Sequence, residues 1–140
     1  MILLYHSIVP DSSSACRWSA GQALPQSVFE KHMRWLAKNY PIISLEEYIT
    51  HINRGGSLKK PQIALTFDDG FGVTFKCIYS TLVKLDIPAT IFVTIGHLTK
   101  GKLLWFSYLK ALCFESYYAR VKADQFTFSL QTLRERQRAW

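Results

Sequence analysis

The sequence is short of cysteine, of long apolar runs and of charge clusters. Its three cysteines, Cys16, Cys77 and Cys113, are scattered through 140 residues. An odd number without metal-ligand spacing excludes a disulfide framework and a zinc knuckle, so reduced, packed thiols are expected. The longest apolar stretch, "LLWFSYLKALCF", is interrupted by Lys110. It falls short of the roughly 20 residues that cross a bilayer, so no transmembrane segment is expected. It reads as a core helix, with an interfacial helix as the alternative. The opening "MILLYHSIVP" lacks a basic n-region, and its apolar run is too short for a secretory signal. A cytoplasmic location is therefore the default expectation. There is no Lys/Arg-rich run and no interleaving of basic with aromatic residues, so nucleic acid is not an expected partner.

What is present is a globular composition, 49% hydrophobic and 19% charged, in a chain long enough for one domain with a real core. The net charge of +7 is unevenly spread: residues 1–70 carry seven Lys/Arg against six acids, residues 71–140 ten against four. Such a basic second half suits an anionic polymer or surface, or is a solvated face.

Apolar patterning alternates between two periods. "ILLY" (2–5), "IIS" (42–44), "QIALTF" (62–67) and "ATIFVT" (89–94) read as short strands of the kind buried on both faces of a parallel sheet. Between them, Phe29, Met33, Leu36 and Tyr40 form one helical stripe, and Leu45, Tyr48, Ile49 and Ile52 a second. Ile78, Leu82 and Leu85 mark a third helix over 73–85, and residues 103–119 are expected to form a fourth. Ser27 with Glu30, Ser44 with Glu47 and Thr132 with Glu135 have capping-box spacing. Pro41 and the pair Gly55–Gly56 stop the first two helices. Residues 7–25 and "IGHLTKG" (95–101) read as loop, and "QFTFSL" (125–130) as an edge strand. The repeated strand–helix order predicts an α/β domain of about four parallel strands with right-handed crossovers. His32 and His51 fall on amphipathic helices and read as surface residues. His6, Asp68, Asp69 and His97 follow strands, where α/β folds gather their functional groups.

The stretch "IALTFDDGFG" (63–72) carries the chemistry. Asp-Gly alone is a common turn dipeptide. Two adjacent carboxylates repel unless a cation relieves them. A divalent metal does so, and it lowers the pKa of bound water from about 16 towards ~7, which makes hydroxide available for hydrolysis. A magnesium-dependent phosphoacceptor is the alternative use of such an acid pair.

"LTFDDGF" resembles the first motif of the polysaccharide deacetylases, the fourth carbohydrate-esterase family with its NodB-like homology domain. "LLYHSIVP", "FEKHMRWLAKNYPIISLEEYI" and "LDIPATIFVTIG" resemble the opening half of that family, and "LLWFSYL" an insertion found in some bacterial members. The resemblance implies a distorted (β/α) barrel and a metal-dependent hydrolase that removes acetyl groups from N-acetylated, or O-acetylated, polysaccharide. Asp68 would be the catalytic base, Asp69 a ligand to zinc or another divalent metal, and Thr66, Phe67 and Gly70 the frame of the strand end. The family's His-x-x-x-His metal motif has no counterpart, since no two of His6, His32, His51 and His97 are four apart. A substitute site of His6, Asp69 and His97 would reach the three protein ligands of catalytic zinc.

A barrel of this kind needs roughly 250 residues. Residues 1–140 are therefore expected to be the amino-terminal part of one deacetylase-like domain, cut within the insertion after the fourth strand, with Trp140 the first core-facing residue of a longer element. Such a fragment is expected to be incomplete or inactive and to self-associate through an open sheet edge. A carbohydrate-binding relic without catalysis is the alternative. Because relatives act on envelope polysaccharides, envelope association stands beside the cytoplasmic default.

Overall fold

β1 (Ile2–Tyr5), β4 (Ile42–Ile43), β5 (Ile63–Phe67) and β6 (Thr90–Ile91) form one parallel sheet around β5. The computed structural model describes residues 1–13, 23–55, 61–101 and 104–139. They divide into two units, Met1–Thr94 and Ile95–Trp140. In the first unit β1 runs along one side of β5, with Ile2 opposite Ala64 and Tyr5 opposite Phe67. β4 and β6 share its other side: Ile42 and Ile43 pair with Ile63 and Ala64, and Thr90 and Ile91 with Thr66 and Phe67.

Alternation along these strands makes two unlike faces. Ile63, Leu65 and Phe67 of β5, with Leu3, Tyr5, Ile42 and Ile91 beside them, pack against two helices. These are α1 (Gln26–Asn39), which buries Phe29, Met33 and Leu36, and α3 (Gly72–Lys84), which buries Cys77 and Ile78. Fully burying each large apolar side chain stabilises the fold by about 1.5–3 kcal/mol. Ile2, Leu4 and Phe92 fall on the other face, in phase with Ala64 and Thr66, and about half of each remains exposed. A wholly parallel sheet normally has both faces covered; among the described residues, the core helices α1 and α3 pack on the Ile63–Leu65–Phe67 face.

The apolar run "ATIFVT" pairs over only two residues, although the Phe92 N–H still donates to the Phe67 carbonyl at 2.8 Å. Residues read as loop hold a second parallel pair, β2 (Ser7–Val9) with β3 (Ala23–Pro25). α1 starts at Gln26, and the expected Ser27–Glu30 box is replaced. The Asp11 carboxylate accepts from the Ser27 N–H (3.3 Å) and hydroxyl (2.7 Å), while Glu30 accepts from the Gln26 side chain. A full negative charge at a helix N-terminus is favoured by the helix dipole. The Ser44–Glu47 capping box of α2 (Leu45–Asn53) is present. α2 buries none of its residues, however, and Ile49 and Ile52 are exposed.

The second unit departs further from expectation. "IGHLTK" is a helix, α4 (Ile95–Lys100), rather than loop. The helix expected over 103–119 is α5 (Trp105–Lys110) continued by a π-helical turn, Ala111–Glu115. The Arg136 guanidinium donates to the Cys113 and Ser116 carbonyls left free at its end. β7 (Arg120–Ala123) and β8 (Phe126–Ser129) then form an antiparallel hairpin, which makes "QFTFSL" half of a ribbon. Thr132 and Glu135 cap α6 (Leu133–Ala139) as the spacing predicts. Cys16, Gly56 and Trp140 lie outside the described residues. Among the described residues, no helix is long and apolar enough to cross a membrane.

Candidate active site

Three packed rings hold together the strand ends from which the site is built. Tyr5 stacks on Phe67 with centroids 5.7 Å apart and meets Phe29 edge-on at 5.6 Å; Phe29 and Phe67 are 5.9 Å apart. Such pairs contribute about 0.5–1.5 kcal/mol each beyond the area they bury. Burial pushes the Tyr5 phenol above its ordinary pKa, and its hydroxyl lies 3.2 Å from His32 Nδ1. The residues that follow the two strand-end rings are His6 and Asp68. Phe67 closes β5 within this cluster, and Thr66 before it is buried.

Asp68 is tied to the neighbouring strand by its backbone, its N–H donating to the Tyr5 carbonyl at 2.9 Å. Its carboxylate stays accessible, and Oδ2 lies 4.0 Å from His6 Nε2, itself half-exposed. By alternation Asp68 continues the Ala64–Thr66 face, the one without helices. Asp69 should then turn to the opposite face, as successive strand residues do. It does not, because the backbone becomes left-handed at both Asp69 and Gly70, each with φ 71°. Both carboxylates consequently line one shallow cleft with Phe92, Val93 and Thr94. Asp tolerates this conformation better than most residues. At Gly70 there is a second constraint: a Cβ there would stand 2.6 Å from Val93 Cγ1. Gly70 thus lets the acid turn pack closely on the chain leaving β6.

Sequence reasoning missed Thr74. It sits in the first turn of α3 and is buried, and its Oγ1 accepts the Ile8 N–H at 3.0 Å. The only signal for it in the sequence is its place one helical turn before Ile78, on the inward stripe.

Catalytic zinc takes three protein ligands and leaves a position for water. Asp68, Asp69 and His6 lie on one rim. Yet among the described residues no three His, Cys, Asp or Glu side chains are grouped closely enough to hold an ion. The donor set is incomplete for such a centre. His97 falls on α4 in the second unit, and its side chain is outside the described part, so grouping it with His6 and Asp69 has no support here.

Comparison with known proteins returns one family repeatedly. The model of the family "Polysaccharide deacetylase" matches residues 55–137, which include both aspartates. YxkH of Bacillus subtilis (strain 168), named for the polysaccharide deacetylases, is 33% identical over 102 residues, 69% of this chain and 33% of its own length. The poly-beta-1,6-N-acetyl-D-glucosamine N-deacetylase of Staphylococcus aureus (strain MSSA476) is 30% identical over 76 residues, 54% of this chain and 26% of its own. The chain thus spans about a third or less of these curated relatives. Among solved structures, the Streptococcus pyogenes deacetylase PplD in complex with acetate superposes with a TM-score of 0.61 at 25% identity. That match covers 80% of this chain and 49% of PplD. A de-N-acetylase from Aggregatibacter actinomycetemcomitans superposes with a TM-score of 0.58 at 20% identity, covering 92% and 44%, and shares the fold.

Proposed function

Because the chain belongs to the polysaccharide deacetylase family, we propose that it serves the hydrolytic removal of acetyl groups from an N-acetylated or O-acetylated polysaccharide. In the N-acetylated case the bond broken is a carbon–nitrogen bond outside any peptide. The observation that carries this reading is the pair of carboxylates lining one cleft at the end of the central strand, inside the segment that matches the family.

Asp68 is the proposed general base. Its exposed carboxylate takes a proton from water as the water oxygen attacks the acetyl carbonyl carbon. Collapse of the tetrahedral intermediate releases acetate and leaves the amine, or hydroxyl, on the sugar. Asp69 is the proposed ligand for zinc or another divalent metal. The described residues lack the remaining ligands, so the chemistry assigned to this chain's own side chains rests on Asp68. We further propose that the four-stranded sheet is the amino-terminal part of a distorted (β/α) barrel. The uncovered Ile2–Leu4–Phe92 face supports this, as does a match to about half the length of the solved relatives.

The test is acetate release from oligomers of β-linked N-acetylglucosamine by the protein purified from its source. Asp68→Asn should lower the rate by at least about 10²-fold, as loss of a general base does. Release unaffected by that change would overturn the assignment. The absence of a three-donor group favours a second reading, a carbohydrate-binding module without catalysis; glycan binding with no acetate release would establish it.

A further inference from the structure

The contact between His6 and Asp68 is bracketed by two hydrogen bonds that tie the same two chain segments together. On the near side, Asp68 N–H donates to the carbonyl of Tyr5. On the far side, Thr74 Oγ1 accepts the N–H of Ile8 at 3.0 Å, and its own hydroxyl reaches the His6 carbonyl at a long 3.5 Å. Segment 5–8 and segment 68–74 are therefore joined at both ends, with His6 facing Asp68 between the joints. We propose that Thr74 is a positioning residue for this site, one that holds His6 against Asp68. The proposal rests on the deacetylase reading of Asp68.

The alternative is that Thr74 only fills space in the core. Its surroundings argue otherwise. Thr74 and Ile8 are 3% and 0% exposed, so water cannot replace the hydroxyl as partner for the Ile8 N–H. An unpaired buried donor is strongly disfavoured, and the local chain shifts to relieve it. The segment less firmly held by its sheet is β2 (Ser7–Val9), a three-residue strand whose sheet partner among the described residues is β3, itself three residues long. β1 and β5 are fixed by four paired positions and the ring cluster. Displacement would concentrate at the joint between β1 and β2, and that joint is His6. Valine has nearly the shape of threonine and lacks the acceptor; serine keeps the acceptor and lacks the methyl group. Thr81, also buried and two turns further along α3, supplies a control at which polarity is lost away from the site.

Thr74→Val, Thr74→Ser and Thr81→Val in the whole protein test the proposal through two readouts. The first is the NMR resonances of the His6 ring and the Asp68 amide. These should move in Thr74→Val and stay near their wild-type positions in Thr74→Ser and Thr81→Val. The second is acetate release. Thr74→Val should lose about 10- to 100-fold in kcat with KM within about twofold, as small misplacements around a general base do; Thr74→Ser should restore it. Unmoved His6 and Asp68 signals in Thr74→Val would overturn the proposal, as would equal movement in Thr81→Val. If Thr74→Val does not fold, Thr74→Ser decides. His6 signals displaced despite the retained hydroxyl refute the proposal; unmoved signals beside the unfolded valine variant uphold it. Absence of acetate release in the wild type would refute the deacetylase reading and leave the resonances to decide the role of Thr74.

Discussion

Gly70→Ala is the most direct way to ask whether the acid turn has the geometry described. Two terms oppose the substitution and one favours it. At φ 71° an L-residue incurs about 1–2 kcal/mol. A methyl at 2.6 Å from Val93 Cγ1, 3.2 Å from its Cβ and 3.3 Å from its Cα is overpacked, a condition that destabilises by about 1–3 kcal/mol. Against these, alanine restricts the unfolded chain, which returns about 0.4–1 kcal/mol. The γ-methyl can swing aside because Val93 is 42% exposed, whereas its Cα cannot. The net expectation is a loss of about 2–3 kcal/mol.

Urea denaturation measures it. With a slope of about 1–3 kcal/mol/M for a small protein, the midpoint should fall by roughly 1–2 M. The double variant Gly70→Ala/Val93→Ala separates the terms. It should recover the overpacking part and leave the backbone part in place, a coupling expected only of residues in contact. A Gly70→Ala midpoint within about 0.5 kcal/mol of wild type would refute the close approach of the turn to Val93. Full recovery in the double variant would refute the backbone term.

Asp69→Gly should leave stability within about 1 kcal/mol of wild type, because relief of the left-handed conformation, about 1–2 kcal/mol for most residues and less for Asp, is offset by about 0.4–1 kcal/mol of added freedom in the unfolded chain; a larger drop in Tm would count against strain at that position. It should also abolish any metal-dependent activity assigned to Asp69. Ser44→Ala should destabilise by about 1 kcal/mol through loss of the α2 cap, read as a lower urea midpoint. The cap also carries a pH signature. Hydrogen bonds from the Ser44 N–H and hydroxyl hold the Glu47 carboxyl below its ordinary value of 4.5. Its contribution is therefore complete above that value and is lost as pH falls through the lowered one. Acid titration of stability should flatten in that window in Glu47→Gln, which removes the titrating group, and an unchanged profile would contradict the assignment. Ile2→Lys/Leu4→Lys places charge on the sheet face that helices leave open. It should suppress concentration-dependent association in sedimentation experiments; a wild-type protein that is monomeric at all concentrations would refute association through that face.

The elements legible in the sequence are those whose burial imposes a period. β5 is apolar but for Thr66 because it is buried along its whole length, and the Phe29–Met33–Leu36 stripe is read correctly because each residue meets that sheet. Where burial is absent, periodicity misleads. Ile49 and Ile52 have helical spacing and no cover. The three-residue strands β2 and β3 are too short to show a period. They exist because they pair with each other and because Thr74 of α3 satisfies the Ile8 N–H of β2. β7 escapes notice because its hairpin turn uses Asp124 at φ 52° with no glycine beside it.

The acid pair was legible by type, but the reason that both carboxylates serve one cleft was not. The acid pair is expected to serve one site, yet adjacent residues on a strand point to opposite faces, and the motif does not say how the chain brings both to the same side. Two successive left-handed residues do so, and only the glycine of "DDG" hints at them. The cleft has a further property that no short motif encodes. Asp68 continues the Ala64–Thr66 face, and Phe92, which lines the cleft, is half-exposed on the same face as Ile2 and Leu4. The open side of the sheet and the open side of the site are one surface. A group that covers that face to complete the hydrophobic burial also walls the cleft and lowers the dielectric around Asp68 and Asp69. A change on that face therefore alters the surroundings of the acid pair as well, and Ile2→Lys/Leu4→Lys should perturb the apolar face and the cleft together.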